Sequence, residues 1–379
     1  MLLLKNIECY SPEPCGKKDL LIASDKIEAL VLPGSLSDNP LISTQLDCSG
    51  LFAFPGIIDQ HVHILGGGGE QGFESRTKEI DVSDIRSSGV TTIVGLLGAD
   101  GTTRTLETLY AKAKALEAQN ITAYLYSGSY TVPPVTFTGN ITRDLVLIDM
   151  VIGAGEIAVS DYRSSCPTLP ELLRLASNTY LGGMLGKKAG VVHFHIGDGK
   201  DGLAPLKKIL EQSDLPKEAL VPTHTNRNPT LFKEAMGYCS AGGYIDLTAG
   251  ETAGISVPDA IHMLLNDGID LSRVTVSSDA GGSIPSGGVA KNQALFDDLI
   301  ACVRSGISPA NTFRLVTENV AKLLKLYPRK GTLQKGGDAD ILIMDEKFHI
   351  QMLFSKGKLV LQNSIREMNN KIEEQRNGR

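Results

Sequence analysis

Several features that would place this 379-residue chain in a special class are missing. It has no tryptophan, and no apolar run approaches the ~18 residues that span a bilayer. Positive charge is not in excess, because 37 Lys and Arg residues face 43 Asp and Glu residues, for a formal net charge of -6 at pH 7. This balance argues against a nucleic-acid-binding or membrane-surface protein. With 42% hydrophobic and 21% charged residues, the composition is that of an ordinary globular protein.

The chain also lacks the cysteine patterns of disulfide-rich or zinc-ribbon proteins. Its six cysteines are scattered and form no CxxC pair, which predicts reduced thiols that mostly serve as small core residues. The segment from Met1 to Glu8 has no basic region and reaches an acidic residue too early for a signal peptide. We therefore expect a cytoplasmic protein.

The two ends of the chain differ from its middle. Residues 1–54 and the stretch after Gly331 consist of short apolar runs broken by Pro and Gly, a pattern typical of strands and turns. The length exceeds what one core usually holds. We predict a small β-sandwich domain from residues 1–54 and 331–379, around a larger domain from residues 55–330. The polar end, 366–379, is either a frayed helix or disordered.

The middle of the chain alternates apolar runs with helical stretches, the last of which is predicted over residues 309–326. The runs are continuous rather than alternating, as in a parallel sheet covered by helices. Eight strand–helix units in about 275 residues predict a (β/α)₈ barrel. The predicted strands are 56–64, 91–97, 122–127, 157–160, 191–196, 219–223, 244–247 and 274–277.

Polar residues that can do chemistry follow these predicted strands. Catalytic groups of such a barrel lie at the carboxyl ends of its strands, and His61 and His63 would share one face at the end of the first strand. The other candidates, near strands four, five, six and eight, are Glu156, His193, His195, His224 and Asp279. Imidazoles and carboxylates suit Zn²⁺ or a similar ion, and two ions fit if one carboxylate bridges them.

Each of these residues also has a simpler interpretation. A single HxH pair is weak evidence for a metal, and a lone Asp after a strand usually caps a helix. Of His193 and His195, one could be a ligand and the other a core residue. His262 and His349 fit packing or surface positions better. Ligand types at the same end of five strands are nevertheless hard to obtain by chance.

Particular motifs give these candidates a family resemblance. The run from Pro55 to His63 resembles the first-strand signature of the amidohydrolase superfamily, and the run from Gly336 to Ile341 resembles its return into a small β-domain. Within that superfamily the chain is similar to the isoaspartyl dipeptidases over nearly its whole length. The stretches that carry this similarity are 66–70, 94–98, 129–133, 160–164, 194–198, 222–228 and 277–283.

The resemblance implies a reaction and a set of metal ligands. Isoaspartyl dipeptidases hydrolyse β-aspartyl dipeptides, which arise from isomerised Asn and Asp residues of degraded proteins. His61, His63 and Asp279 would bind one divalent ion, most simply Zn²⁺, and His195 and His224 a second. A hydroxide bridging the ions would be the nucleophile. Asp279 would act as general base and then acid, and Tyr130 would stabilise the oxyanion.

The resemblance also assigns residues that bind the substrate. Glu70 would hold the α-ammonium group, and Arg163 and Arg227 would bind carboxylates, while Gly68 and Ser283 lie in loops at the substrate. The two arginines could instead be salt-bridge partners on the barrel rim, and Tyr130 a packing residue. Glu70 follows four glycines that permit close approach to a ligand, and it has no apparent capping task.

Two positions depart from the family pattern. Where the isoaspartyl dipeptidases have a carboxylated lysine that bridges the metals, this chain has Glu156. Glutamate can bridge two ions directly, and Gly153 and Gly155 would let the backbone come closer to them. The rival interpretation is one metal with Glu156 as an ordinary ligand. Ala99 replaces a hydroxyl residue, so one hydrogen bond to the substrate would be missing or replaced.

The sequence leaves other functions open. Another amidohydrolase activity, such as a dihydroorotase-like cyclic amidase, a deacetylase or an adenine deaminase, is the nearest alternative. A scaffold protein without catalysis is a more distant one, because all expected ligand types are present. The resemblance implies a homo-oligomer, with an octamer as one option. Metal identity, the preferred residue after the β-aspartyl unit and the assembly stay undetermined.

Overall fold

The computed structural model describes residues 1–36, 39–284 and 288–363. Its strands are β1 Leu2–Tyr10, β2 Pro14–Ala23, β3 Lys26–Val31, β4 Thr44–Asp47, β5 Phe52–Pro55, β6 Ile57–Val62, β7 Val90–Gly95, β8 Thr122–Ser127, β9 Val151–Val159, β10 Val191–Ile196, β11 Leu220–Thr223, β12 Ile245–Thr248, β13 Val274–Ser277, β14 Ile341–Met344, β15 Ile350–Ser355 and β16 Lys358–Gln362. Its α-helices are α1 Val82–Ser87, α2 Leu106–Ala118, α3 Ile141–Leu147, α4 Leu169–Leu185, α5 Ala204–Glu211, α6 Pro229–Ser240, α7 Val257–Asn266, α8 Asn292–Arg304, α9 Pro309–Arg314 and α10 Glu318–Leu323. Among the helices described here, none combines the length and apolarity needed to cross a bilayer.

Both chain ends contribute to one sheet. Its strands run in the order β16-β15-β14-β5-β1-β2-β3, and β4 pairs with β1. Strand β5 joins the two ends, because it pairs parallel with β1 and antiparallel with β14. Apolar side chains from both ends, such as Leu4, Ile7 and Phe354, pack into a common core. The predicted tail, 366–379, lies outside the described residues.

The middle of the chain forms parallel sheets. Strands β6 to β11 make a six-stranded sheet in sequence order, and β12 pairs with β13. Nearly every residue of these strands is buried, as expected for strands covered by helices. The α/β class with a curled parallel sheet is therefore confirmed. Within the described ranges the ladder is interrupted between β11 and β12 and between β13 and β6, where one bridge joins Val62 to Ala280.

Two predicted elements were wrong in their bounds. The fourth strand was predicted over residues 157–160, which left Glu156 just before it, but β9 begins at Val151, so Glu156 lies well inside the strand. Gly153 and Gly155 hid this strand in the sequence, yet they are needed there: a Cβ on Gly153 would lie 2.5 Å from the Val191 carbonyl oxygen.

The second error concerns residues 309–326, predicted as one helix. They form α9 and α10 instead, separated at Leu315 to Thr317. The carbonyls of Leu315 and Val316 accept hydrogen bonds from Val276 and Ile58 of the parallel strands. The helix breaks because these carbonyls bond to the sheet.

Candidate active site

The carboxyl ends of the parallel strands bring six predicted ligands together. His61 lies on β6 with His63 directly after it, Glu156 on β9, and His195 on β10, while His224 and Asp279 directly follow β11 and β13. All six residues except Asp279 are buried. Strands that are far apart in sequence thus direct imidazoles and carboxylates into one small volume, as the strand-end pattern indicated.

One group of ligand atoms surrounds Nε2 of His61 and His63. These two nitrogens lie 3.4 Å apart. Oδ1 of Asp279 is 3.2 Å from the first and 3.1 Å from the second, and Oε2 of Glu156 is 3.4 Å and 3.6 Å away, respectively. Two ligand atoms about 2.1 Å from a tetrahedral ion lie about 3.4 Å apart. These separations therefore suit a zinc-sized ion.

The other carboxylate oxygen of Glu156 faces a second group. Its Oε1 lies 2.6 Å from Nδ1 of His195 and 3.0 Å from Nε2 of His224. The two oxygens of a single buried carboxylate thus face two different histidine pairs. Both trios, His61–His63–Glu156 and Glu156–His195–His224, have ligand atoms close enough to hold an ion.

The polar atoms at the centre are incompletely paired by the protein. Within the described part of the chain, Oε2 of Glu156 and Oδ1 of Asp279 are buried and accept no hydrogen bond. Buried polar atoms without partners are rare in folded proteins. Cations between these oxygens and the imidazoles would satisfy them, so the residues present fit divalent metal ions.

The local charges agree with a cation-binding site. Burial opposes ionisation of Glu156, but the neighbouring His61 and His195 hold the pKa of that carboxyl well below its usual range. Burial opposes protonation of His61, yet Glu156 and Asp279 raise its pKa well above its ordinary value. Burial lowers the pKa of His224 to about 3, which leaves a neutral imidazole suited to a metal. Positive charge is therefore favoured between the carboxylates.

Two of these residues are held in left-handed backbone conformations. His224 has φ of 59° and Asp279 has φ of 51°. Such conformations cost about 1–3 kcal/mol for residues with a Cβ and persist where the surroundings enforce them. The turns after β11 and β13 thus hold both side chains at the site despite this backbone cost.

A layer of polar residues supports the site from below. Nε2 of His193 lies 2.9 Å from Nδ1 of His61, and burial holds the pKa of His193 well below its ordinary value. Asp246 accepts hydrogen bonds from Gln60, Thr223, Thr275 and Ser277. His193 thus contacts a ligand from behind, while Asp246 ties strands β6, β11 and β13 together.

Substrate-binding candidates line a cavity of about 510 Å³ above the ligands. Oε1 of Glu70 lies 3.3 Å from the guanidinium of Arg163 and 3.4 Å from the hydroxyl of Ser283. Arg227 also lines this cavity, as do Gly68 and Ala99. The structure thus gathers the acid, both arginines and the serine that sequence analysis singled out.

Tyr130 is directed at the same centre. Its hydroxyl lies 2.9 Å from Nδ1 of His195, and Arg163 lies over its ring at 5.3 Å. Burial raises the pKa of Tyr130 well above its ordinary value, so this hydroxyl keeps its proton at neutral pH and can donate it in a hydrogen bond.

The glycine-rich loop allows close packing next to the cavity. Gly68 has φ of 68°, and a Cβ there would lie 2.5 Å from the carbonyl oxygen of Ser75. Only glycine fits this conformation and contact.

Two of the seven histidines lie outside the candidate site. His262 contacts Ser305, and the exposed His349 contacts Asp345.

Three acidic residues were not assigned a role from the sequence. Asp161 contacts both His195 and Arg163. Asp59 accepts hydrogen bonds from the Ser278 amide and the Asn292 side chain, which ties β6 to the segment that carries Asp279. The one feature of the sequence that these three residues share is a position within a predicted strand or close to its end.

Comparison with known proteins agrees with this geometry. The amidohydrolase family model matches residues 247–360. The β-aspartyl dipeptidase of Fervidobacterium islandicum AW-1, solved in complex with the β-Asp-Leu dipeptide, is 44% identical with a TM-score of 0.90. That similarity covers 95% of this chain and 96% of the other.

More distant relatives share the architecture. The L-hydantoinase of Paenarthrobacter aurescens is 24% identical over 91% of this chain and 85% of its own length. The solved D-hydantoinase of a Bacillus species, AR9, is 18% identical with a TM-score of 0.66, covering 96% of this chain and 95% of the other. The second similarity bears on the fold alone.

Proposed function

We propose that this chain cleaves the isopeptide bond of β-aspartyl dipeptides with two metal ions. The chain belongs to the β-aspartyl dipeptidase family of the amidohydrolases and is a peptide-bond hydrolase. The observation that carries this proposal is Glu156, whose two oxygens face separate histidine pairs at 2.6–3.6 Å. His63, His195 and His224 of these pairs line the same cavity as Glu70, Arg163 and Arg227.

The residues that would hold the ions follow from the two groups of ligand atoms. His61, His63 and Asp279 would hold one ion, His195 and His224 the other, and Glu156 would bridge them. When bound, such ions lower the pKa of water and polarise a carbonyl oxygen. The donor set of imidazole nitrogens and carboxylate oxygens suits Zn²⁺.

The side chains at the centre have distinct tasks. Asp279 is ionised, because His61 and His63 outweigh the effect of burial and keep its pKa well below its ordinary value. It can therefore accept a proton during attack and deliver it to the leaving amine. Tyr130 keeps its proton and would donate a hydrogen bond to the oxygen of the scissile carbonyl as negative charge develops there.

The charges around the cavity match a zwitterionic substrate. Glu70 would bind the α-ammonium group, and Arg163 and Arg227 the carboxylates, with Ser283 and Gly68 beside them. Glu70 and Arg163 contact each other at 3.3 Å. A β-aspartyl dipeptide brings an ammonium and carboxylates to the same place, so each protein charge would exchange one partner for another.

We extend the proposal to the rest of the molecule. The eight parallel strands β6 to β13 would form one (β/α)₈ barrel from residues 55–330, with the sheet of both chain ends as a separate β-sandwich domain. The bridge between Val62 and Ala280 supports closure, because it joins the first barrel strand to the end of the last. We further propose a cytoplasmic homo-oligomer that clears isoaspartyl dipeptides.

The experiment is a hydrolysis assay on β-Asp-Leu with α-Asp-Leu as the matched substrate. Protein loaded with Zn²⁺ or Co²⁺ should release leucine from the β-linked peptide alone, lose this activity on chelation and regain it with metal. A Glu70→Gln variant should lose most turnover while keeping its metal and its fold. Hydrolysis of hydantoins in place of β-Asp-Leu by the metal-loaded protein would favour the cyclic amidase alternative instead.

A further inference from the structure

Asp161, just after strand β9, contacts a metal-ligand candidate and a substrate-binding candidate at once. Its Oδ2 lies 2.9 Å from Nε2 of His195 and accepts a hydrogen bond from the Arg163 guanidinium at 2.8 Å. Its Oδ1 accepts from Nε of Arg163 at 3.0 Å and from the Arg163 amide at 2.8 Å. The Asp161 side chain is only 3% exposed.

The contact of Asp161 with His195 favours the tautomer that carries its proton on Nε2, because a carboxylate accepts hydrogen bonds. A terminal nitrogen of Arg163 also lies 3.0 Å from this Nε2. Nδ1 of His195 is the atom that faces Glu156. If Nδ1 binds an ion, Nε2 carries the proton and donates it to Oδ2 of Asp161. A carboxylate behind a ligating imidazole fixes its tautomer and orientation and makes it a stronger ligand.

The contact with Arg163 determines how its guanidinium is directed. Asp161 occupies the edge formed by Nε and one terminal nitrogen, in the bidentate geometry that arginine and carboxylate favour. The other terminal nitrogen is directed at Glu70, 3.3 Å away, beside the cavity. Arg227 also approaches, 4.0 Å from Oδ2 of Asp161. One carboxylate therefore lies against both arginines and one ligand.

Close packing keeps Asp161 in this position. A Cβ on Gly197, which follows β10, would lie 2.4 Å from the Asp161 Cβ. The segment after β10 can approach Asp161 this closely only because residue 197 is glycine. The same approach brings His195 within hydrogen-bond distance of Asp161.

We propose that Asp161 is a positioning residue that couples carboxylate recognition by Arg163 to the binding of metal by His195. The coupling to substrate rests on the function proposed above, whereas the link to metal binding does not. Loss of the Asp161 charge should weaken both events, because the same two oxygens hold both partners.

The test compares Asp161→Asn with Arg163→Ala in full-length protein. Asp161→Asn should lower Zn²⁺ affinity by about 10–100-fold, measured by competition with a chelator, and change the visible absorption of Co²⁺ at the site. It should also raise KM for β-Asp-Leu. Arg163→Ala should raise KM with little change in Zn²⁺ affinity, and the double variant should raise KM by less than the two single effects combined.

Asp338→Asn is the matched control, because Asp338 is a partly buried carboxylate paired with cations far from the cavity. It should lower thermal stability without changing Zn²⁺ affinity. Wild-type Zn²⁺ affinity in folded Asp161→Asn protein would overturn the inference. Absence of β-Asp-Leu hydrolysis in wild-type protein would instead overturn the proposed function, and the affinity measurement would still decide the role of Asp161.

Discussion

Two groups of buried charges in this molecule are balanced in different ways. Near the sheet of the chain ends, the buried Lys330 lies 3.0 Å from Asp338 and also contacts Asp340, and Lys26 contacts Asp338 at 2.5 Å. Burial alone would lower the pKa of Lys330, but Asp340 and Asp338 raise it. Here each buried acid has a protein cation as its partner.

At the carboxyl ends of the parallel strands, the partners of the central acids among the described residues are imidazoles. Glu156 and Asp279 contact histidines, which carry positive charge only when protonated. The first group is complete without a ligand, whereas the second attracts protons in the absence of a cation. Incomplete charge pairing, rather than burial of acids as such, distinguishes the candidate site from a structural ion-pair network.

Removal of the charge of Glu156 should have the largest effect on the candidate site. Glu156→Gln should reduce kcat on β-Asp-Leu by more than the roughly 1,000-fold that loss of one oxyanion donor can cost, because both ions lose a shared ligand. Metal analysis should show fewer than two ions per chain. Near wild-type activity with two bound ions would contradict the bridging role, and His262→Gln, outside the cavity, is the control.

A smaller effect is expected at the hydrogen-bond donor. Tyr130→Phe should lower kcat by about 100–1,000-fold, since the lost hydroxyl acts on charge that develops during the reaction. Metal content should not change, which separates this variant from Glu156→Gln. If steady-state kinetics gave an unchanged kcat, Tyr130 would be a packing residue.

The Zn²⁺ affinity of the candidate site should depend on pH. Glu156 and Asp279 raise the pKa of His61 well above its ordinary value, and a ligating imidazole must lose its proton. Zn²⁺ affinity should therefore rise with pH through the range above the ordinary value of about 6.5, by about tenfold per pH unit for each proton displaced. Calorimetry in buffers of different ionisation enthalpy counts those protons, and affinity that did not vary with pH would refute the account.

The ion pairs of Lys330 with Asp338 and Asp340 should matter for stability and not for activity. Lys330→Met leaves the buried Asp340 and the partly buried Asp338 without a main partner, which should cost about 3–5 kcal/mol of unfolding free energy. Denaturant unfolding measures this loss. The kcat and Zn²⁺ affinity of the folded variant should match wild type, and a large drop in either would show that the two groups are coupled.

Bicarbonate added during reconstitution with Zn²⁺ should have the smallest effect on activity. Glu156 supplies its own carboxylate at the position where the family resemblance implies a carboxylated lysine. Reconstitution with Zn²⁺ in CO₂-depleted buffer should therefore yield the same activity as in buffer with added bicarbonate. Activation by bicarbonate would indicate a modified side chain in the site.

Much of the site could be predicted from the sequence, because it depends on local patterns. His61, His63, His195 and Asp279 each stand at the end of a continuous apolar run, and the ends of parallel strands converge. Glu156 was found by its position relative to motifs, although its strand was placed too late. The glycines that strand β9 needs for close packing are the residues that weaken its strand pattern.

Other features depend on contacts between distant segments. The break between α9 and α10 arises because Leu315 and Val316 bond to strands β13 and β6, which no local pattern reveals. Asp161 gains its contacts only because Gly197 lets the segment after β10 come close. Its local sequence is equally consistent with an ordinary turn residue.

The central claim is that Glu156 bridges two metal ions, and a crystal of the Zn²⁺-loaded protein tests it most directly. An anomalous difference map at the zinc edge should show two peaks, one beside His61 and His63 and one beside His195 and His224, with Glu156 between them. A single peak, or two peaks without Glu156 between them, would contradict the account.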